Sequence, residues 1–499
     1  MNLIDKFLND ITMYRLIVYG LLAIIGAAFV LSAQHSLGYP IIALLGSAGT
    51  LLAVGYACHW VLVRIFASAP SKESWLVTVL ILFLILGPAQ SLSEYSTLAL
   101  GIILAMTSKY IFTFARRHIF NPIAIALLAL DLLGSTQVFW WVGSESLFPV
   151  VAIVGFLIVR KVRRYDMVVP FLVVAMTTYL IRTGVSTESL KSIVLSGPLI
   201  FFATIMLTEP QTSPHTRRLR IFFSTIVGLL FGVSFAFPPL YSTPELALVI
   251  GNIFAFAVSS KQRLWLTFQN SSLQGTGIYE FSFRPDRQFK FTPGQYLEWT
   301  LPHRHTDNRG NRRFFTIASS PTEQDVKIAV RIDPQHSSSF KRALLNMRPG
   351  EAIWVSQLSG DFILPADSSK RVVLIAGGIG ITPFRSMVRQ LVDIGGQRPM
   401  TLYYMSNSSS GFSYWQVFNQ AMQNGVYPYY VLTSKDIPKE WTGKTGILTE
   451  DIIKSEVPDY KQAIFLLSGP HAMVDGYKKM LRKANVPRKH IMTDYFPGF

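Results

Sequence analysis

From about residue 12 to residue 258 the chain is a succession of long apolar runs divided by short polar breaks. Crossing a bilayer as a helix takes about 20 mainly apolar residues. Ten such stretches are centred near Ala23, Ala53, Ile81, Ile102, Leu130, Ile153, Val174, Ile200, Val227 and Gly251. Charge gives an independent reading. Residues 1–260 hold 16 of the 46 Lys+Arg and 10 of the 29 Asp+Glu, leaving 30 and 19 for the remaining 239 residues. With ten spans and the N-terminus inside, 14 of those 16 basic residues fall in inner segments, and only Arg182 and Lys191 fall outside. Basic residues gather on the cytoplasmic side of membrane proteins. The pattern therefore predicts a polytopic helical domain over 1–260, integral to the plasma (inner) membrane, with both termini cytoplasmic. The first run lacks a basic leader and a small-residue cleavage site, so it reads as a span and not a cleaved signal.

Composition excludes several classes. Half of the 499 residues are hydrophobic, 15% are charged, and mean hydropathy is +0.34, which argues against disorder and against an ordinary soluble enzyme. The single cysteine, Cys58, rules out intrachain disulfides and Cys-ligated iron–sulfur clusters, and no metal site is expected. The net charge of +17 is accounted for by inner loops and a soluble domain facing an anionic leaflet, so nucleic acid is not expected as a partner.

After Lys261 the runs shorten and alternate. Leu264–Asn270, Gly277–Phe283, Tyr296–Leu301, Phe314–Ala318, Lys327–Ile332 and Ala352–Gln357 read as antiparallel strands of a β-barrel over 261–366, with one helix at Ser339–Asn346. From Arg371 the period changes. A continuously apolar strand, Arg371–Ala376, meets a glycine turn and a helix from Thr382, and further strand–helix units follow. That alternation predicts a parallel α/β sheet over 367–499.

Chemistry concentrates at three places. Arg313-Phe314-Phe315-Thr316 puts a guanidinium that can pair with pyrophosphate beside aromatics that can cover a ring and a hydroxyl that can bond a ring nitrogen. The same four residues also read as a strand edge with a surface arginine. Gly377-Gly378-Ile379-Gly380-Ile381-Thr382-Pro383 places a glycine turn at a helix start, where backbone N–H groups and the helix dipole favour an anion. Proline stands where the dinucleotide fingerprint has its third glycine, and a bare structural turn is the alternative. Ser468-Gly469-Pro470 follows an apolar strand, at the end where ligands bind in open α/β sheets.

In this order and spacing, residues ~262–499 resemble the ferredoxin–NADP reductase family. The resemblance implies that Arg313, Phe315 and Thr316 hold FAD with Ser338 and Ser339, with Phe314 inside the same motif. It implies that Gly377, Gly378, Gly380, Thr382 and Pro383 hold NADH or NADPH, with Gly469 and Pro470 beside them. Ser468 stands where the family has cysteine, and with Thr316 it would position hydride transfer. Phe496 or Phe499, in the aromatic tail, would shield the flavin ring. Ser406, Asn407 and Ser408 carry neither a ribose-binding acid nor a phosphate-binding arginine, which leaves NADH and NADPH both open.

Three segments of the apolar half also carry a resemblance: Ser108-Lys-Tyr through Phe120-Asn-Pro122, the pair Trp140-Trp141, and Thr208-Glu-Pro-Gln-Thr-Ser-Pro214. Residues ~15–258 resemble the membrane B subunit of sodium-pumping NADH:quinone reductase and the D subunit of the Rnf complex. The tryptophans read as an interfacial belt. The resemblance implies a membrane flavin, FMN or riboflavin. The nearest match to the family's covalent FMN site is Thr183–Thr187, with Ser186 or Thr187 as acceptor, although Leu180 and Val185 depart from the pattern. Haem is not expected, because His35, His59, His118 and His215 do not form facing pairs. Asp131, if a span runs Pro122–Trp141, sits near mid-membrane as a candidate ion or proton site or as a neutral structural carboxyl.

The implied activity is a membrane-bound oxidoreductase. It passes electrons from NAD(P)H through FAD to a membrane flavin, then to a quinone or an extracytosolic acceptor. The alternative is a redox-driven Na+ or H+ transporter.

Overall fold

The computed structural model describes residues 7–8, 11–66, 73–114, 117–135, 138–238, 240–258, 264–304, 306–307, 311–333, 337–434 and 436–495. The chain divides into two compact units, Met1–Ser259 and Ser260–Phe499.

The first unit is helical. Its helices are α1 Met13–Ala33, α2 Ile41–Ile65, α3 Ser74–Ile85, α4 Leu92–Ile111, α5 Pro122–Leu132, α6 Phe148–Val162, α7 Tyr165–Thr183, α8 Thr187–Val194, α9 Leu199–Phe201, α10 Arg217–Gly232 and α11 Pro244–Val258. A π-helical turn, Phe202–Met206, continues α9. Local sequence explains several starts. Ser91 and Glu94 form a reciprocal capping box on α4. The Asn121 side chain accepts from the N–H groups of Ile123 and Ala124, both at 3.0 Å, and Pro122 occupies the first turn of α5. One continuous core runs through the unit, from Leu21, Ile24 and Ala28 of α1 to Leu248 and Ala255 of α11.

Each of the ten apolar centres falls on a helix, but the expectation of ten spans does not hold. Among the described residues, three helices are long and apolar enough to cross a membrane: α1 with 21 residues, α2 with 25 and α7 with 19. The count becomes four if α8 and the α9–π segment, bent by 47°, form one span. The reason is that apolar runs are broken in mid-course. At 1.5 Å per residue, the 12-residue α3 reaches only about 18 Å, against a hydrocarbon core of about 30 Å. It stops at Ile85 because the backbone turns extended at Leu86, which bridges to Val138. The carbonyls left over at its end are taken by residues 140–142, which follow α5 in the chain. Trp140 N–H donates to Ile85 at 2.8 Å and Val142 N–H donates to Leu84 at 3.1 Å. The Trp141 indole N–H lies 2.7 Å from the Phe83 carbonyl and 3.0 Å from that of Leu86. Trp140 and Trp141 are accordingly buried, at 7% and 4% exposure, and are not an interfacial belt. Helix α5 likewise ends at Leu132, so no helix runs from Pro122 to Trp141.

The second unit begins with six antiparallel strands: β1 Leu264–Gly275, β2 Ile278–Pro285, β3 Tyr296–Thr300, β4 Arg312–Thr316, β5 Val326–Arg331 and β6 Ala352–Ser359, ordered β4-β3-β6-β1-β2-β5. The alternation predicted the strands. Leu264, Leu266 and Phe268 of β1 face Phe281, Phe283, Trp299 and Ile353 in one core. The sheet's two edges meet where the Ala318 N–H, two residues past β4, donates to the Lys327 carbonyl of β5 at 2.7 Å. Helix α12, Ser339–Leu345, buries Phe340 and Leu344 in the same core.

The parallel sheet follows. Its strands are β7 Val372–Gly377, β8 Met400–Ser406, β9 Val426–Leu432, β10 Lys444–Thr445, β11 Ile464–Gly469 and β12 Ile491–Tyr495, ordered β10-β9-β8-β7-β11-β12. Every residue of β7, β8 and β11 is buried. Separate cores on the two faces explain why these strands read as unbroken apolar runs. The helices are α13 Thr382–Asp393, α14 Trp415–Gln420, α15 Glu450–Glu456 and α16 His471–Lys483.

Candidate functional site

Two of the three motifs touch one another directly. Strands β7 and β11 are neighbours, with Ala376 beside Ser468, so the glycine turn and Ser468-Gly469-Pro470 leave the same edge of the sheet. Gly378 has φ +53°, a conformation that side-chain-bearing residues avoid, and a Cβ there would meet nothing within 4 Å. At Gly380 the case is the opposite, because a Cβ would collide with the Ser468 carbonyl. The turn thus presents bare backbone to open space on one side and packs glycine against backbone on the other. Its Thr382 hydroxyl donates to the Ile379 carbonyl, locking the turn, and Pro383 sits buried in the first turn of α13. Thr382 is therefore spent within the turn itself. Ser468 is fully buried, and its Oγ has no hydrogen-bond partner among the described residues. An orphaned hydroxyl at the carboxyl end of a central strand, beside an open glycine cradle, fits a nucleotide whose polar atoms complete the set.

The third motif lies on β4. Pairing places Arg313 opposite Trp299 and Phe315 opposite Leu297, so these two side chains share the core-facing side. Phe315 packs on Phe340 with ring centroids 5.7 Å apart, and the Arg313 guanidinium carbon lies 5.4 Å from the same ring. Arg313 Nη2 is 3.6 Å from Asp307 Oδ1. Asp307 in turn exchanges two hydrogen bonds with Ser339: its Oδ2 accepts from the Ser339 N–H at 3.0 Å, and its own N–H donates to Ser339 Oγ at 2.9 Å. His303 Nε2 lies 3.0 Å from the same hydroxyl. Ser338 caps α12, accepting from the Lys341 N–H at 3.3 Å. Arg313, Phe315, Ser338 and Ser339 are thus gathered around Phe340. One cation and two seryl groups in one corner suit the phosphates of a flavin dinucleotide. Phe314 is placed elsewhere. It is 54% exposed, on the other side of β4, edge-on to Tyr296 at 5.6 Å. Thr316 is buried opposite Tyr296. Phe496 and Phe499 lie outside the described residues.

A seam that no motif announced joins these places. Arg385 of α13, three residues past Thr382, donates to the Ala318 carbonyl at 3.0 Å and forms a two-pronged pair with Glu323. Ser386 Oγ donates to the Ser319 carbonyl at 2.6 Å. The segment that continues the Arg313–Thr316 strand is thereby fixed to the helix that begins at the glycine turn. Burial by itself would raise the Glu323 carboxyl, but the hydrogen bonds and charge of Arg385 outweigh it and hold Glu323 down at about 2. In the sequence Arg385 reads as one polar position of an amphipathic helix, and its partner lies 62 residues away.

In the first unit the structure joins two of the three segments that carried the membrane-subunit resemblance. Asn121 Nδ2 donates to Glu209 Oε2 at 2.8 Å, and Thr212 Oγ1 donates to the same oxygen at 3.1 Å. Asn252 completes the cluster, taking the Asn121 N–H at 2.8 Å and donating to the Thr212 carbonyl at 3.2 Å. Asp131 sits in the last turn of α5, half-buried, with its carboxyl beside that of Glu245, which accepts from the Trp140 indole N–H at 3.1 Å. Ser186 is an exposed cap, accepting from the Ser189 N–H at 3.0 Å at the start of α8, and Thr187 is the first residue of that exposed turn. Among the described residues no group of three His, Cys, Asp or Glu is placed to hold a metal.

The second unit joins an antiparallel barrel to a parallel α/β sheet that carries a glycine turn at a helix start. Residues 374–479 match the oxidoreductase NAD-binding domain. Among curated relatives, a flavohemoprotein of Bacillus cereus is 26% identical over 253 residues, covering 47% of this chain and 62% of that protein. The F subunit of the Na(+)-translocating NADH-quinone reductase of Methylococcus capsulatus is 29% identical over 205 residues, covering 37% and 49%. The chain thus spans less than two thirds of either relative. Among solved structures, the flavohem-like FAD/NAD-binding domain of nitric oxide dioxygenase from Vibrio cholerae is 17% identical with a TM-score of 0.41, covering 47% of this chain and 98% of that one.

Proposed function

We propose that this protein is a membrane-associated reductase that oxidises NAD(P)H through FAD and passes the electrons to an acceptor reached through its helical unit. The observation that carries the reading is the seam. Arg385 and Ser386 hydrogen-bond Ala318 and Ser319, just past the Arg313–Thr316 strand, from the helix that follows the glycine cradle, which supports reading the two places as parts of one site. FAD, when bound, supplies hydride acceptance from the nicotinamide and release of electrons one at a time. Arg313, Ser338 and Ser339 would hold its phosphates, and Phe315 would flank it. The N–H groups of Gly378–Gly380 would take the nucleotide's pyrophosphate, and the Ser468 hydroxyl would bond the carboxamide end and fix its orientation. Thr316, buried at the strand end, would offer its hydroxyl to a nitrogen of the flavin ring.

For the first unit, α1, α2 and α7 are long and apolar enough to cross a bilayer, and Asn121, Glu209 and Asn252 tie together two of the segments that carry the resemblance to the flavin-bearing subunits. On that reading the electrons go to a membrane flavin and then to a quinone or an acceptor across the membrane.

The test is flavin retention. Purified protein should carry FAD, and Arg313→Ala should lower FAD content by roughly tenfold or more, as expected for losing a charge-assisted phosphate contact. A colourless wild-type preparation that FAD does not reconstitute would overturn the reading.

A further inference from the structure

Among the features that this reading leaves unassigned is the loop after β8. Strand β8 lies beside β7, with Met405 next to Gly377, so the loop from Ser406 to Gly411 opens on the same sheet edge as the glycine cradle. In parallel sheets of this kind the residues after the second strand meet the adenosine ribose. An acid there accepts from a free 2′-hydroxyl, and an arginine accommodates a 2′-phosphate. Here neither is present. Between Arg398 and Lys435 the chain carries no charged side chain, in a protein of net charge +17.

What fills the loop is hydroxyl, and the hydroxyls bond one another. Ser406 Oγ donates to the Ser408 carbonyl at 2.8 Å and accepts from the Ser408 N–H at 3.2 Å. Ser408 Oγ pairs with Ser410 Oγ at 2.8 Å, and Ser410 Oγ pairs with Thr276 Oγ1 at 2.6 Å. The loop is also held from outside. The Thr276 N–H, at the β1–β2 turn of the barrel, donates to the Ser410 carbonyl at 3.0 Å, and the Thr433 N–H donates to that of Ser406 at 2.8 Å. Gly411 closes the loop against Ser406 Oγ.

We infer that the Ser406–Gly411 loop receives an adenosine ribose with a free 2′-hydroxyl, so that NADH and not NADPH is the coenzyme of this site. A ribose hydroxyl both donates and accepts, and it extends a serine chain at either end. A 2′-phosphate brings about two negative charges and three acceptor oxygens. It would have to break serine–serine bonds to find donors, and it would meet no cation from the loop. The inference rests on the nucleotide-site reading above.

The test has a binding arm and a kinetic arm. In calorimetry on the purified full-length protein, ADP-ribose should bind at least about tenfold more tightly than its 2′-phosphorylated form, the smallest gap expected where a phosphate lacks its charge-assisted partner. The kcat/KM for NADH should exceed that for NADPH by a similar factor. Asn407→Arg should raise the NADPH value and narrow both gaps, and Ser408→Arg is the second variant if the first does not fold. Equal or tighter binding of the 2′-phosphorylated probe by the wild type, as Lys435 would give if it served that phosphate, would overturn the inference. If neither probe binds and neither coenzyme is oxidised by FAD-loaded protein, the nucleotide-site reading falls and takes this one with it.

Discussion

Glu323 shows how single residues set the geometry here. Its side chain is 17% exposed and that of Arg385 is 6%, so each would be a costly buried charge without the other. Because Arg385 holds the folded carboxyl at about 2, against an ordinary 4.5, the pair contributes stability above pH 4.5 that is lost as pH falls toward 2. That lowering corresponds to about 3 kcal/mol. Chemical unfolding followed between pH 5 and pH 2 should show that loss in the wild type. Glu323→Gln should be less stable by about 3 kcal/mol at neutral pH and should lack the Glu323 component of the acid-induced loss. An unchanged acid limb in the variant would remove the pair from the account. Ser468, Gly378 and Gly380 were visible as candidates in the sequence because glycine turns and strand ends are local features. Asp307, His303 and Arg385 were not, because each acts on a partner brought near only by folding.

At the scale of elements, alternation was a reliable guide and the length of an apolar run was not. Strands β1 to β6 and β7 appear within a few residues of where period-two and unbroken apolar patterns place them, since one-sided and two-sided burial write those patterns directly. Helix α3 was misjudged because apolar residues continue past its end into extended backbone that is itself buried, whereas α5 stops in an exposed turn at Leu133 and Gly134. The sequence records the burial but not the break. Such breaks survive in an apolar interior only if the freed carbonyls find donors. Trp141 supplies two of those bonds with a single N–H. Trp141→Phe keeps most of the ring and removes the donor, leaving the Phe83 and Leu86 carbonyls short. It should cost about 1–3 kcal/mol. In detergent, thermal unfolding of the helical unit should shift down relative to the wild type, while the nucleotide affinity of the second unit stays put. No shift would mean that water or lipid headgroups satisfy those carbonyls.

For the whole molecule, charge and hydropathy change in the sequence near residue 260, and the structure divides into two compact units, Met1–Ser259 and Ser260–Phe499. How many helices of the first unit are long enough to cross a bilayer was not legible, since run length alone cannot tell one long helix from two short ones meeting at a break. The account's central claim lies in the second unit: the Arg313 corner and the glycine cradle are two halves of one redox site. An anaerobic titration of purified protein with NADH tests it most directly. The account predicts that the flavin absorbance bleaches in proportion to the NADH added, with one nicotinamide oxidised for each flavin fully reduced, and that Arg313→Ala lowers the signal in step with its loss of FAD. FAD that stays oxidised in the presence of excess NADH and NADPH would contradict it.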